Sequence, residues 1–181
     1  RGKRFLVIGG AGFIGSHTID KLLKEDIKEI ILYDNFSRGN LINLKEAMKD
    51  DRLKICEYGN DILLTDTLNK VTENIDGVFH FAALWLLHCQ DFPRSAFETN
   101  IKGTFNVLEA CKNSQVKKIV YSSSASVYGD AIYEPIDEDH PFNNKNFYGA
   151  TKISSEAILR AFYYQFGLSY VALRYMNVYG E

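Results

Sequence analysis

Tyr148 and Lys152 are the first residues of this sequence whose types and spacing invite chemistry. They form Y-x-x-x-K, and on a helix that spacing puts both side chains on one face, about one turn apart. A phenol with a pKa of ~10 is a poor base at neutral pH. A lysine ammonium beside it favours the phenolate and draws that value down. The phenolate then takes a hydroxyl proton while the carbon bearing that hydroxyl is oxidised. The spacing alone is weak, because a surface pair on an amphipathic helix shares it. A serine run strengthens it. The apolar segment Val116–Ser122 leads into SSSAS at 122–126. If that segment is a strand of a parallel sheet, its carboxyl end meets the ligand crevice. A serine there hydrogen-bonds a substrate oxygen and shares its proton with Tyr148.

Such groups need a scaffold, and the hydropathy pattern describes one. Strands are expected at Arg4–Ile8, Glu29–Tyr33, Leu53–Glu57, Gly77–Phe81, Val116–Ser122 and Tyr170–Arg174. Helical patterns fall between them: from the glycine-rich turn to about Lys24, at Leu41–Lys49, at Asp61–Glu73, from Pro93 to about Asn113, and at Phe147–Phe166. Pro93 suits a first helical turn. Residues 125–146 read as a long surface loop. Alternating strands and helices imply an α/β fold, a doubly wound parallel sheet with helices on both faces.

The first strand runs into GGAGFIG at 9–15, in which Gly9, Gly12 and Gly15 recur every third residue. Glycines between a strand and a helix permit a tight turn and let backbone N–H groups approach a pyrophosphate, while the helix N-terminus favours the anion. Asp34 ends the second strand, 19 residues after Gly15. An acid there accepts hydrogen bonds from adenosine ribose hydroxyls and repels a 2′-phosphate, which favours NAD over NADP. Arg38, four residues on, offers a 2′-phosphate a partner instead. Asp61, after a Gly59-Asn60 turn, suits either a helix N-cap or a contact to the adenine edge.

Composition excludes other classes. The 181 residues carry 21 Lys+Arg and 23 Asp+Glu, a net charge of −2 that does not suit a nucleic-acid binder working by bulk charge. The longest apolar run, FAALWLL at 81–87, is far short of the ~20 residues of a membrane-spanning helix. The basic start followed by apolar residues imitates a signal peptide, but glycines interrupt it and no small-residue cleavage site follows. Three cysteines, Cys56, Cys89 and Cys111, lack metal-ligand spacing and read as free thiols of a reducing, cytoplasmic compartment, with no metal site expected.

Together these motifs resemble the extended short-chain dehydrogenase/reductase superfamily, in its branch of NAD-dependent nucleotide-sugar epimerases and dehydratases. The resemblance covers the whole chain: GGAGFIG, YDN at 33–35, ND at 60–61, HFAA at 80–83, TNIKGTFNVLEAC at 99–111, YSSSASVYG at 121–129, YGATK at 148–152 and LRYMNVYG at 173–180. It is most similar to the UDP-hexose 4-epimerases. It implies Tyr148 as catalytic base, Lys152 as its tuning partner and holder of the nicotinamide ribose, and Ser124 on the sugar hydroxyl being oxidised, with Ser122 behind. It implies further NAD contacts from Phe13, Ile14, Asn35, Ile62, Phe81, Ala82, Ala83, Asn100 and Tyr175, and a substrate contact from Asn177. The family reaction oxidises the sugar transiently at C4, turns the 4-keto sugar over and returns the hydrogen to its other face.

Two departures qualify the resemblance. Trp85 stands where many 4-epimerases have Lys, which removes a charge near the nucleotide sugar. Ala125 and Ser126 stand where the family's dehydratases have an Asp-Glu pair, which disfavours dehydration. A reductase, a decarboxylase or a non-catalytic NAD(P)-sensing protein are the competing readings. The family also implies a homodimer through helices near 94–113 and 148–166, with Phe162, Tyr163 and Tyr164 as candidate apolar surface. It further implies a C-terminal substrate domain, so residues 1–181 are expected to be the NAD-binding domain of a longer protein.

Overall fold

The computed structural model of the protein describes residues 2–57 and 60–180; the expected turn at Gly59 lies outside the described residues. Strands β1 (Lys3–Ile8), β2 (Ile27–Tyr33), β3 (Leu53–Ile55), β4 (Gly77–His80), β5 (Lys118–Ser124) and β6 (Ser169–Tyr175) form one sheet in the order β3-β2-β1-β4-β5-β6. All neighbours are parallel. The chain winds outward from β1 in one direction and then, from β4, in the other. The crevice at the carboxyl ends of β1 and β4 is therefore the topological switch point, where such sheets bind ligands.

The strands are apolar on both faces because helices cover both. Leu6 and Ile8 of β1 join one core cluster while Val7 between them joins the other, the period of two that a strand imposes. Helices α2 (Thr65–Val71), α5 (Thr104–Asn113) and α6 (Phe147–Phe166) contribute Leu68, Val107, Leu108, Leu159 and Phe162 to the first cluster; α1 (Phe13–Leu22) contributes Ile19 to the second. Burial at ~25 cal/mol per Å² of apolar surface makes these two layers the main stabilising term.

Several boundaries differ from the pattern. Leu41–Lys49 forms two short 3₁₀ turns, begun by Asn40, whose side chain accepts from Ile42 N. The expected helix from Pro93 is α4 (Pro93–Ala96), a π-helical turn (Phe97–Gly103) and then α5, and a further helix α3 (Leu86–Asp91) precedes it. Asp61 is not a helix N-cap: α2 begins at Thr65, and the Asp61 carboxylate instead closes a turn onto Leu63 N at 2.9 Å. Helix α6 keeps its expected bounds, because Asn146 caps its start on Gly149 N at 2.8 Å and Gly167 ends it at φ +73°.

Candidate active site

The crevice opens on the glycine loop. A Cβ on Gly15 would lie 2.3 Å from Gly9 O, so loop and helix approach as closely as only glycine allows. A Cβ on Gly12 would meet nothing nearer than Gly9 O at 3.4 Å, so the backbone there borders open space. Gly12 caps α1 without a side-chain bond, and no acid occupies the first turn. The helix therefore presents its first N–H groups and its positive end to the crevice, ready for an anion.

Asp34 lies buried beside this loop. Its Oδ2 accepts from Ala11 N at 2.9 Å and its Oδ1 from Phe36 N at 2.8 Å. Each oxygen keeps a second lone pair for a ligand hydroxyl. A cavity of about 250 Å³ runs from Gly9 and Gly12 past Asp34 and Asn35 to Asp61 and Ile62, and along Phe81, Ala82 and Ala83. Asn35 also reaches Asp61 Oδ2 at 3.5 Å. Sequence reasoning missed Tyr33, Ser37, Gly39 and Thr99 as lining residues. Tyr33 had a detectable signal, since it adjoins Asp34, and its hydroxyl donates to Asp61 O at 2.8 Å.

Ser124, Tyr148 and Lys152 converge at the carboxyl end of β5. The three serines have different partners: Lys152 Nζ donates to Ser122 O at 2.6 Å, Ser123 donates to Glu156, and Ser124 Oγ accepts from Ser126 N at 3.1 Å. Burial raises the pKa of the Tyr148 phenol, and the Ser124 side chain lowers it by less, so the net shift is upward. The expected fall through Lys152 is absent. The reason is geometric: the ammonium is directed at Ser122 O and stands 5.5 Å from the Tyr148 ring centroid. Burial lowers the Lys152 pKa to about 8, with Cys89 and Glu156 pulling it back up.

The pattern of the NAD dependent epimerase/dehydratase family matches residues 5–181 of this sequence. The chain belongs to that family. It is 37% identical over 180 residues to a putative UDP-glucose 4-epimerase of Methanocaldococcus jannaschii, an alignment covering 97% of this chain and 56% of the relative. Among solved structures it resembles the UDP-N-acetylglucosamine 4-epimerase of Methanobrevibacter ruminantium M1 in complex with UDP-N-acetylmuramic acid. That match has a TM-score of 0.92 and 38% identity over 99% of this chain and 56% of the other. The UDP-glucose 4-epimerase of Brucella ovis in complex with NAD matches with a TM-score of 0.88 and 34% identity, over 97% of this chain and 52% of the other. The chain thus spans little more than half the length of these relatives.

For a member of this NAD-dependent family the residues present fit the cofactor: an anion-ready helix start, a buried acid bordering the cavity with lone pairs to spare, and apolar walls. The other residues named from the resemblance have these surroundings. Phe13 and Ile14 face a different surface hollow, shared with Val178 and Tyr179, so only their backbones attend the loop. Asn100 is buried and spends its side chain on protein: Oδ1 accepts from Leu84 N at 2.7 Å, and Nδ2 donates to Leu84 O at 3.0 Å and Thr151 Oγ1 at 3.2 Å. It ties the Ala82–Leu84 wall to helix α6. Tyr175 pairs in register with Ser124 but lines a second cavity of about 770 Å³, beside Arg174 and Glu156. Asn177 lies exposed beyond β6. Among the described residues no group of three or more His, Cys, Asp or Glu is placed to hold a metal, and no helix is long and apolar enough to cross a membrane.

Proposed function

We propose that the protein is an NAD-dependent nucleotide-sugar 4-epimerase, acting by transient oxidation at sugar C4. The observation that carries this reading is the meeting of Ser124, Tyr148 and Lys152 at the strand end that adjoins the crevice of the glycine loop and Asp34. Gly9, Gly12 and the first turn of α1 bind the pyrophosphate, Asp34 and Asn35 the adenosine ribose, and Asp61 with Ile62 the adenine side. Phe81, Ala82 and Ala83 form the wall along the dinucleotide. When bound, NAD supplies the two-electron oxidant for C4.

The chain's own residues manage the proton. Ser124 Oγ orients the C4 hydroxyl, and Tyr148 takes its proton and later returns it. Lys152, anchored on Ser122 O, keeps a positive charge beside the phenol. Ala125 and Ser126 continue from Ser124 as a 3₁₀ turn with no carboxylate, which supports epimerisation over dehydration. The similarity to enzymes of UDP-sugars supports a UDP-hexose substrate.

The test is product analysis after incubating the protein with UDP-, GDP- and dTDP-hexoses. Interconversion of a C4 epimer pair with no net change in NAD is expected. A reduced, decarboxylated or dehydrated product, or none, would contradict the assignment. We also propose a homodimer. Tyr163 and Tyr164 are exposed on α6, at 48% and 80%, whereas Phe162 is core, edge-on to Phe105 and tilted against Phe166. Light scattering that reports a monomer would remove the dimer.

A further inference from the structure

Arg38 and Trp85 come from the two loops that flank the cofactor crevice. Arg38 follows β2 just after Asp34, and Trp85 immediately precedes α3. The Arg38 guanidinium stands 4.8 Å from the centroid of the Trp85 ring. Among the described residues Arg38 has no hydrogen bond or ion pair, so this stacking is its only polar attachment. Arg38 also lines the same cavity as Asp34.

The backbone next to Arg38 abuts the ribose-facing acid. A Cβ on Gly39 would lie 2.9 Å from Asp34 Oδ2. Arg38 is thus rooted beside Asp34, yet its guanidinium lies over the Trp85 ring. No ion pair or hydrogen bond joins the guanidinium to Asp34 among the described residues; the Asp34 oxygens accept from Ala11 N and Phe36 N.

We propose that Trp85 determines dinucleotide specificity by parking Arg38 on its ring, so that the 2′ position meets the Asp34 carboxylate and no cation. A ribose 2′-hydroxyl is then accepted, and a 2′-phosphate finds repulsion without a partner. This rests on the crevice being the dinucleotide site. A cation over an exposed aromatic ring is worth about a two- to fivefold population bias, so freeing Arg38 makes a change of that size available to a 2′-phosphate.

The experiment is calorimetric titration of the protein with NAD and with NADP, for wild type, Trp85→Leu, Trp85→Phe and the double variant Arg38→Leu/Trp85→Leu. Trp85→Leu is expected to shift the ratio of the two dissociation constants about two- to fivefold towards NADP. Trp85→Phe, which keeps a ring, falls between it and wild type. The double variant loses the gain. A ratio unchanged in Trp85→Leu, or a gain that survives loss of Arg38, overturns the proposal. A wild type that binds neither dinucleotide removes the reading of the crevice, and this inference with it; NAD binding with an unchanged ratio removes the inference alone.

Discussion

Tyr148→Phe should abolish sugar interconversion, lowering kcat by about 10²–10⁴-fold, the range ordinary for loss of a positioned acid–base group. The same variant should keep its fold and its NAD. The ring remains to fill its half of the pocket beside Lys152, and what is lost is one hydroxyl and at most one hydrogen bond. A single hydrogen bond of that kind contributes about 1 kcal/mol. Steady-state turnover, thermal melting and NAD content, read on one preparation, separate the two effects. Turnover within a few-fold of wild type would remove Tyr148 from the chemistry. A collapse of stability would make its role structural.

Lys152→Met should cost about 10²-fold or more in kcat and should also change the pH behaviour of the fold. Lys152 is fully buried, donates to Ser122 O at 2.6 Å and lies 4.9 Å from the Tyr121 ring centroid as well as against Tyr148. Burial takes its pKa from 10.5 to about 8. Between those values the unfolded chain binds the proton that the folded chain releases, so the wild-type fold gains stability as pH rises from about 8 towards 10.5. Methionine fills the stem's volume and has no proton to release. The stability difference between the two proteins should therefore move in the wild type's favour across that window, by at most about 3 kcal/mol. In activity the signs oppose: raising the pH through about 8 removes the positive charge of Lys152 from the site, so an alkaline fall in kcat near that pH should vanish in the variant. Chemical denaturation at several pH values and a kcat profile read both. A parallel offset at every pH would show that Lys152 does not titrate in this range.

How far the sequence displays this arrangement depends on whether the signal is local. Helix α6 is legible to the residue, because Asn146 and Gly167 are terminal signals that act within one turn. The glycine loop is legible for the same reason. The strand expected to end at Ser122 runs on through Ser123 and Ser124, since β6 supplies ladder partners Arg174 and Tyr175. The first two residues of helix α3, Leu86 and Leu87, close the apolar run 81–87, where no period separates helix from loop. Asp61 fits the local rule for a cap, but the competing turn onto Leu63 wins. Long-range contacts leave no such trace. The Arg38–Trp85 stacking, the tying of Asn100 to Leu84 and the aim of Lys152 at Ser122 O all join segments distant in sequence. Burial, which spacing does not show, is what moves the Tyr148 pKa upward.

The central claim is that C4 of the sugar is oxidised and re-reduced within one bound complex. Its most direct test is incubation with a UDP-hexose carrying deuterium at C4, in ordinary water, with the product examined by mass spectrometry and NMR. The epimer is expected to retain its deuterium, still at C4, with no hydrogen entering from solvent. Deuterium lost to water, or found at another carbon, would contradict it.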